Sequence, residues 1–316
     1  MQPVESSHVS ASDLRLGIDL GCSRMIGAII DGDHRVHAER HLDVPIGDYP
    51  ATVAAIAAMV STLEQDVGIE GLPVGVATPG RLNASKHLMC GSHVSWLNAR
   101  PLPRDLAANL GRDVRTAHKA GCLARAEYLD GAAEGATRVF AAVLGTGVSG
   151  ALLIDGQLLG GSNGFAGTWS HNSLPWPTPA ESRTAPTCGC GQHGCIEAWL
   201  SGPGMSADHV RRGGHALTVP DIVTRAEAGE RLAGITLRDW LARSARSFAA
   251  VINLMDPQVI VVGGGLSRIR WLYSEVPKIW GRHCVADELR TTLVPAAHGD
   301  ASIARGAALL WPLPQL

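Results

Sequence analysis

The sequence predicts an α/β fold built from two related lobes. Short apolar segments of strand length alternate with helix-length segments along the 316 residues, which is typical of this fold class. A Leu-Gly pair at residues 20–21 precedes an Asp-Gly pair at residues 31–32 by 11 residues, and the same pairs recur 11 residues apart at 144–145 and 155–156. The repeat indicates a duplicated unit of strand, glycine turn and strand, and so two half-domains facing a common cleft. Two unrelated hairpins are the alternative, because Asp-Gly turns are common.

Each element follows from a local pattern of apolar residues and turn formers. Predicted strands are residues 14–20, 25–30, 74–77, 114–117, 139–144, 151–154 and 259–262, with the Asp-Gly pairs as hairpin turns that close the strand pairs before them. Predicted helices are residues 51–65, 122–128, 237–253 and 303–311. Residues 172–187 and 202–214 are expected to be loops. We expect one lobe over residues 1–117, joined by about residues 291–316, and a second lobe over residues 118–290.

Composition excludes several classes of function. The chain has 27 basic and 29 acidic residues and no charged block, so neither nucleic acid nor an anionic membrane is an expected partner. Apolar runs such as residues 259–262 are too short to span a bilayer. Residues 1–13 lack the features of a signal peptide. The seven cysteines are an odd number at partly metal-like spacing, which suits a reducing cytoplasm better than a disulfide framework.

The most specific motif is Cys188-Gly-Cys190-Gly-Gln-His-Gly-Cys195-Ile-Glu197. Three thiols this close, separated by glycines that let the backbone turn back, form a tetrahedral zinc site once a fourth ligand arrives. His171 is the best candidate for that ligand. The alternative is a glycine-rich turn with buried free cysteines.

A second set of residues predicts a nucleotide cleft. Asp19 precedes a glycine turn, where a carboxylate can hold hydrated Mg²⁺ beside phosphates. The turns at residues 21–24 and 145–147 could form two walls of a phosphate cradle, and the glycines at 263–265 follow a strand, where α/β folds place ligands. The candidate nucleotide and magnesium residues are Asp19, Gly21, Ser23, Arg24, Gly145, Thr146, Gly147, Gly264 and Gly265.

The chain resembles the ROK family within the actin/hexokinase/Hsp70 superfamily, and is most similar to bacterial fructokinase-like sugar kinases. The resemblance covers residues 14–311 and is carried by the Cys-x-Cys-Gly-x-x-Gly-Cys-x-Glu motif at residues 188–197 with His171 upstream. It implies a two-lobed actin/hexokinase-like fold, a duplicated ribonuclease H-like unit, and a homodimer. Only 13 residues precede Leu14, so no winged-helix domain of the repressor branch is expected.

The resemblance also implies roles for individual residues. His171, Cys188, Cys190 and Cys195 would hold a structural zinc ion. Asp19, Gly21, Ser23, Thr146 and Gly147 would line the phosphates of Mg-ATP, and Gly264 and Gly265 the adenosine. The candidate contacts to a sugar-like ligand are Glu197, which would reach a sugar hydroxyl, His171, Thr168, His93 and Asn98.

One departure from the family pattern affects catalysis directly. ROK kinases carry an Asn-Asp pair whose aspartate is the base for the sugar hydroxyl, and His118-Lys119 aligns there. A lysine neither orients the nucleophile nor accepts its proton, and loss of a general base typically costs about 10²- to 10⁴-fold in rate. Alternatively, Lys119 points out of the cleft and Asp113 or Glu127 serves as the base, although neither is well placed in the sequence.

Other substitutions lie on the same side of the expected cleft. Thr168 and Ser170 replace the Glu and the Gly of the family's Glu-x-Gly-His motif, and the segment before Asn98 contains His93 instead of asparagines. In the first glycine turn, Cys22 and Arg24 replace a glycine and a lysine. Acid and amide groups are lost and cations are gained, which favours an anionic ligand.

Three functions follow as hypotheses. The first is a cytoplasmic ROK protein that binds nucleotide and a sugar-like, anionic ligand, with sugar phosphorylation weak or lost. The second is an active ATP-dependent hexose (fructose-like) or cyclitol kinase with a displaced base. The third is an enzyme with new chemistry in the kinase cleft, in which Lys119 is a cation for a carboxylate or phosphate, or a nucleophile.

Overall fold

A computed structural model of the chain describes residues 13–83 and 85–312. The described chain divides into two compact units, one formed by residues up to Cys122 together with those from Ala301 onward, the other by Leu123–Asp300. The expectation about export rests on residues 1–13, all but one of which lie outside the described residues. None of the described helices combines the length and the apolar character needed to cross a membrane.

The strands are β1 (Arg15–Leu20), β2 (Arg24–Ile30), β3 (Val36–Asp43), β4 (Val74–Thr78), β5 (Arg81–Leu82), β6 (Met89–Cys90), β7 (Val114–His118), β8 (Arg138–Leu144), β9 (Val148–Ile154), β10 (Gln157–Leu158), β11 (Val259–Gly263) and β12 (Thr292–Pro295). The helices are α1 (Tyr49–Val67), α2 (Leu102–Leu110), α3 (Lys119–Asp130), α4 (Pro179–Arg183), α5 (Ile196–Leu200), α6 (Gly202–Arg211), α7 (Val219–Glu227), α8 (Arg231–Met255), α9 (Trp271–Trp280) and α10 (Ser302–Ala308).

The first unit is a five-stranded sheet in the order β3-β2-β1-β4-β7. The pairs β1–β2 and β2–β3 are antiparallel, whereas β1–β4 and β4–β7 are parallel. Helix α1 buries Ile56 and Leu63 in the core of this unit, and α10 packs on β1, β2 and β4. Glycine is required at Gly17 because a Cβ there would overlap the carbonyl oxygen of Ala304 in α10. The central strands and α10 are therefore in direct backbone contact.

The second unit repeats this topology with the order β10-β9-β8-β11-β12. The pairs β8–β9 and β9–β10 are antiparallel, and β8–β11 and β11–β12 are parallel. Its largely aliphatic core contains a group of aromatic side chains, among them Trp240 and Phe248 of α8. Trp169 stacks on Phe248 with ring centroids 5.0 Å apart and meets Phe140 edge-on at 5.3 Å. This aromatic cluster supports the segment that leads to the cysteine motif.

Three predictions about local structure are wrong. The Asp-Gly pair at residues 31–32 does not close the first two strands but leads from β2 into β3. The pair at residues 155–156 likewise leads from β9 into β10. The sequence did not predict β3 because its residues are exposed on both faces. Residues 202–214 are not a flexible stretch but contain α6. The side chain of Ser201 accepts a hydrogen bond from the backbone N–H of Gly204, and Pro203 lies in the first turn, so the glycines stand at a capped helix start.

The units and the predicted lobes divide the chain at different residues. The prediction placed residues 118–290 in the second lobe, whereas the second compact unit runs from Leu123 to Asp300. Its last strand, β12, pairs with β11 from Val259↔Thr292 to Val262↔Pro295, so residues 292–295 complete the second sheet. The helix predicted at residues 122–128 begins earlier, at Lys119.

Candidate functional site

The second unit brings four metal-ligand atoms together. One nitrogen of His171 and the three sulfurs of Cys188, Cys190 and Cys195 all lie within 4.8 Å of one another. Cys190 Sγ is 3.7 Å from Cys195 Sγ, and Cys188 Sγ is 3.5 Å from His171 Nδ1. A tetrahedral zinc site with Zn–S about 2.3 Å and Zn–N about 2.0–2.1 Å has neighbouring ligand atoms about 3.5–3.8 Å apart. The four residues therefore fit a zinc ion.

The electrostatics of this cluster agree with that fit. Burial, together with the neighbouring Cys190 and Cys188, raises the pKa of Cys195 to about 12. Thiols crowded in this way ionise together only when a cation balances their charge. A bound divalent ion supplies that charge, so the donor set favours a metal.

Glu197 links this cluster to the second glycine turn. Its Oε2 accepts a 3.0 Å hydrogen bond from the backbone N–H of Val148, and its Oε1 lies 3.7 Å from Cys188 Sγ and 3.8 Å from His171 Nδ1. The turn itself is closed by a hydrogen bond from Gly145 N–H to Gly147 C=O at 2.9 Å. Glu197 is buried, and both of its carboxylate oxygens lie against these groups.

An ionic network fastens the segment before the cysteine motif to α8. Glu181 of α4 accepts hydrogen bonds from Arg243 at 2.8 Å and from Arg246 at 2.8 and 2.9 Å, all of them buried. Burial opposes ionisation of Glu181, but hydrogen bonds from Arg246, the Thr178 N–H and Arg243 outweigh it and lower its pKa to about 2. The segment of residues 172–187 is thus anchored in its middle.

The other glycine positions form tight turns at the carboxyl ends of strands. Gly21 N–H donates to the Arg24 carbonyl at 3.1 Å, which joins β1 to β2 and leaves Ser23 and Arg24 exposed. Gly264 has φ +84°, and a Cβ there would lie 2.5 Å from the Leu144 carbonyl oxygen, so only glycine fits. Gly265 and Thr146 are exposed beyond these turns.

In the first unit, Asp19 and Lys119 form an ion pair. Lys119 Nζ lies 2.8 Å from Asp19 Oδ1, with side chains that are 17% and 11% exposed, respectively. Magnesium prefers one or two carboxylates completed by water, and here the carboxylate predicted for that role already has an ammonium group on one oxygen. Lys119 therefore competes with magnesium for the Asp19 carboxylate.

His118 precedes this lysine and is uncharged. Burial, with Arg81 and Lys119 nearby, lowers the pKa of His118 to about 3. Its Nδ1 is buried and makes no hydrogen bond within the part of the chain that the structure describes. His118 therefore adds a neutral imidazole to this end of the sheet, not the positive charge that the sequence suggested.

The remaining predicted substrate residues differ in availability. The side-chain amide of Asn98 makes two hydrogen bonds with the backbone of Ser92. It accepts one from the Ser92 N–H at 3.0 Å and donates one to the Ser92 carbonyl at 2.9 Å. This amide shapes the loop that carries His93, which is exposed. Thr168 of the second unit is half-buried in the turn before Trp169, with its backbone N–H on the Phe165 carbonyl.

Sequence reasoning missed Arg81. Arg81 is the first residue of β5, which begins just after β4 ends. The positive charge of its guanidinium helps to lower the pKa of His118, the last residue of β7, which is paired with Thr78 of β4. Burial lowers the pKa of Arg81, and the nearby Cys90 opposes this. The Pro-Gly turn at residues 79–80, directly after a buried strand, is the signal that could have identified it.

Neither alternative base is suitable in this structure. Glu127 is fully buried in α3 and accepts backbone N–H groups of Ala132 and Ala297, each at 2.8 Å. Asp113 precedes β7, at the end of that strand opposite to His118. Both carboxylates are thus excluded as bases beside Lys119.

Residues 15–313 match the ROK family. N-acetyl-D-glucosamine kinases from Photobacterium profundum and Vibrio cholerae are each 34% identical over 298 residues, with 93% of this chain and 98% of each relative covered.

Solved structures agree in fold. A ROK hexokinase from Thermus thermophilus superposes with a TM-score of 0.78 at 25% identity, covering 94% of this chain and 97% of that one. A ROK family glucokinase from Streptomyces griseus, in complex with glucose and AMPPNP, has a TM-score of 0.81 at 24% identity, with 94% and 98% covered.

Proposed function

The chain belongs to the ROK family, and we propose that it binds a nucleotide and a sugar-like, anionic ligand while sugar phosphorylation is weak or lost. Its sugar-kinase-like character follows from its similarity to N-acetyl-D-glucosamine kinases, which it matches along nearly their whole length. The observation that carries the loss of transfer is the 2.8 Å ion pair between Lys119 and Asp19.

The ion pair matters because of what phosphoryl transfer needs at this position. A hydroxyl nucleophile needs an acceptor for its proton, and a lysine ammonium has three donors and no acceptor. Neutral His118 has one acceptor nitrogen, but it is buried against cations that disfavour protonation. Among the described residues of the first unit, the carboxylate beside Lys119 is that of Asp19, which is already paired with the ammonium group. We therefore expect transfer to be slower by about 10²- to 10⁴-fold.

The ligand class follows from charge. Arg81 and Lys119 are both cationic and lie at the carboxyl-end side of β4 and β7, near His118. A carboxylate or phosphate on a sugar would be bound there by charge-assisted hydrogen bonds. An acidic or phosphorylated N-acetylhexosamine combines this chemistry with the substrate named for the relatives.

An ADP-release assay tests the proposal. The native protein is given Mg-ATP with N-acetylglucosamine, glucose, fructose, mannose and cyclitols, beside Lys119→Asp and the control Lys86→Asp, which changes an exposed lysine of the same unit. We expect little turnover from the native protein and the control, and a gain of at least about 10²-fold in Lys119→Asp. Robust turnover by the native protein would contradict the proposal.

An active N-acetylglucosamine kinase is the second candidate. It is favoured by the 34% identity over 98% of the length of the relatives of that name. Turnover by the native protein with N-acetylglucosamine that persists in Lys119→Met would support it, because the base would then be another residue.

New chemistry at Lys119 has weaker support. A nucleophilic lysine needs a free amine, whereas Nζ lies at hydrogen-bonding distance from Asp19 Oδ1. Borohydride trapping of an imine with keto acids, absent in Lys119→Met, would favour this third function.

Zinc is the metal we assign to the Cys3His cluster, and metal analysis tests that assignment. The homodimer implied by the resemblance stays a prediction, to be measured by light scattering.

A further inference from the structure

We propose that the Lys119 ammonium group, by pairing with the Asp19 carboxylate, prevents a divalent metal from binding there, so that this protein binds nucleotide phosphates without magnesium. The first part concerns only Asp19 and Lys119; the second rests on the nucleotide binding proposed above.

The geometry of the sheet makes this contact specific to a long side chain. Asp19 in β1 is paired with Ala77 in β4, and Ala77 is paired with Ala117 in β7. Neighbouring strands are about 4.8 Å apart, so β1 and β7 are separated by roughly twice that distance. Lys119 begins α3 just after β7 and reaches across the end of β4 to Asp19.

Charge explains why the contact excludes a metal. The pair is largely shielded from solvent, and buried charges are screened less than exposed ones. Mg²⁺ or Mn²⁺ bound to Asp19 would stand beside the ammonium group, and the two cations would repel each other. The neighbouring His118 is neutral and adds no compensating negative charge.

Asp19 does not belong to a preformed cluster of metal ligands. Among the described residues, the only group of three or more His, Cys, Asp and Glu side chains placed to hold a metal is the Cys3His cluster of the second unit. A metal at Asp19 would therefore depend on the carboxylate that Lys119 already contacts.

Manganese binding to the zinc-loaded full-length protein tests the inference without nucleotide or sugar. Free Mn²⁺ is followed by electron paramagnetic resonance in the native protein, Lys119→Met, the double variant Lys119→Met/Asp19→Asn, and the control Lys86→Met. We expect one equivalent of Mn²⁺ to bind Lys119→Met at least 10-fold more tightly than the native protein. The site should disappear in the double variant, and Lys86→Met should behave as the native protein. The thiolate-rich cluster prefers softer metals and is common to all four proteins.

Two results would overturn the inference: Mn²⁺ binding to the native protein that Asp19→Asn abolishes, or no gain of Mn²⁺ binding in a folded Lys119→Met protein.

If Lys119→Met does not fold, calorimetric titration of the native protein with ADP decides. ADP affinity should change less than 3-fold between excess Mg²⁺ and a magnesium-free buffer without chelator, and a loss of 10-fold or more without Mg²⁺ would overturn the inference. No ADP binding in either buffer would contradict its magnesium-independent binding and also the nucleotide part of the proposed function. Weak sugar phosphorylation is tested separately by ADP release.

Discussion

The two five-stranded sheets have the same strand order and the same pattern of parallel and antiparallel pairs, yet the ends of their strands differ in chemistry. The next-to-last residue of β1 is Asp19, and that of the corresponding β8 is Val143. Lys119 follows β7, whereas Ala296 follows β12. The first sheet thus ends in an ion pair, and the second in apolar and glycine residues. Topology decides where strand ends meet, but side chains at those ends decide what can be bound.

The second unit compensates for its apolar strand ends with anchored loops. Its cysteine motif, Glu197 and the Glu181 network stabilise the segment that follows β9. In the first unit the comparable fixed point is the Lys119–Asp19 pair itself. The predictions below test this contrast, from the largest expected effect to the smallest.

Removing the zinc that we assign to the Cys3His cluster should produce the largest difference in stability between the two units. A strong chelator, or Cys195→Ser, should lower the stability of the second unit by about 4 kcal/mol or more, because an ion present at 1,000 times its dissociation constant contributes that much. Hydrogen exchange by mass spectrometry should show lost protection in residues 170–200, with β1, β4 and β7 unchanged. Equal loss in both sheets would contradict the contrast.

Breaking the buried network should come next. Glu181→Gln leaves Arg243 and Arg246 without their shared carboxylate, and losing one partner of a buried ion pair typically costs about 3–5 kcal/mol. Glu288→Gln is the matched control, because Glu288 pairs with Arg290 on the exposed surface and should change stability by at most about 0.5 kcal/mol. Urea unfolding measures both; similar losses would show that the network does not anchor the segment.

Glu197→Gln should weaken metal binding with less effect on folding. Its carboxylate lies beside Cys188 and His171, and loss of such an outer partner typically lowers metal affinity about 10- to 100-fold. Competition with a chromophoric chelator measures this, with Glu275→Gln, an exposed acid of the same unit, as the control. If Glu197 instead reaches a sugar hydroxyl, metal affinity should be unchanged and ligand affinity should fall.

Over the range from pH 5 to 7, the smallest expected effect is on the acid stability of the first unit. His118 has a pKa of about 3 in the folded protein, whereas an unfolded histidine titrates near about 6.5. Between these values the unfolded chain binds more protons, so stability falls as the pH falls from about 6.5 towards 3, by at most about 1.4 kcal/mol per pH unit.

His118→Asn should make this dependence shallower, since the group that takes up the proton on unfolding is gone. His215→Asn, at an exposed histidine, should leave the slope as it is. Urea unfolding at pH 5 to 7 provides the comparison. An unchanged slope in His118→Asn would mean that folding does not lower the pKa of His118.

The sequence alone determined the α/β class, the internal duplication and the composition of the metal cluster. These features depend on patterns that are local or periodic: apolar runs, Asp-Gly turns, and thiols at ligand spacing within ten residues. Edge strand β3 escaped prediction because its residues are exposed on both faces, and α6 because glycines at a capped helix start resemble a loop.

Only the tertiary structure decided which side chains meet at the carboxyl ends of β1, β4 and β7. Asp19, Arg81 and Lys119 are far apart in sequence, and only the order β1-β4-β7 brings their strand ends together. That order pairs Lys119 with Asp19. It also buries His118 near two cations, and this burial, with the cations, lowers the pKa of His118 so that it is neutral. The physical reason is that charge depends on distance and burial, and both are set by contacts between residues remote in the chain.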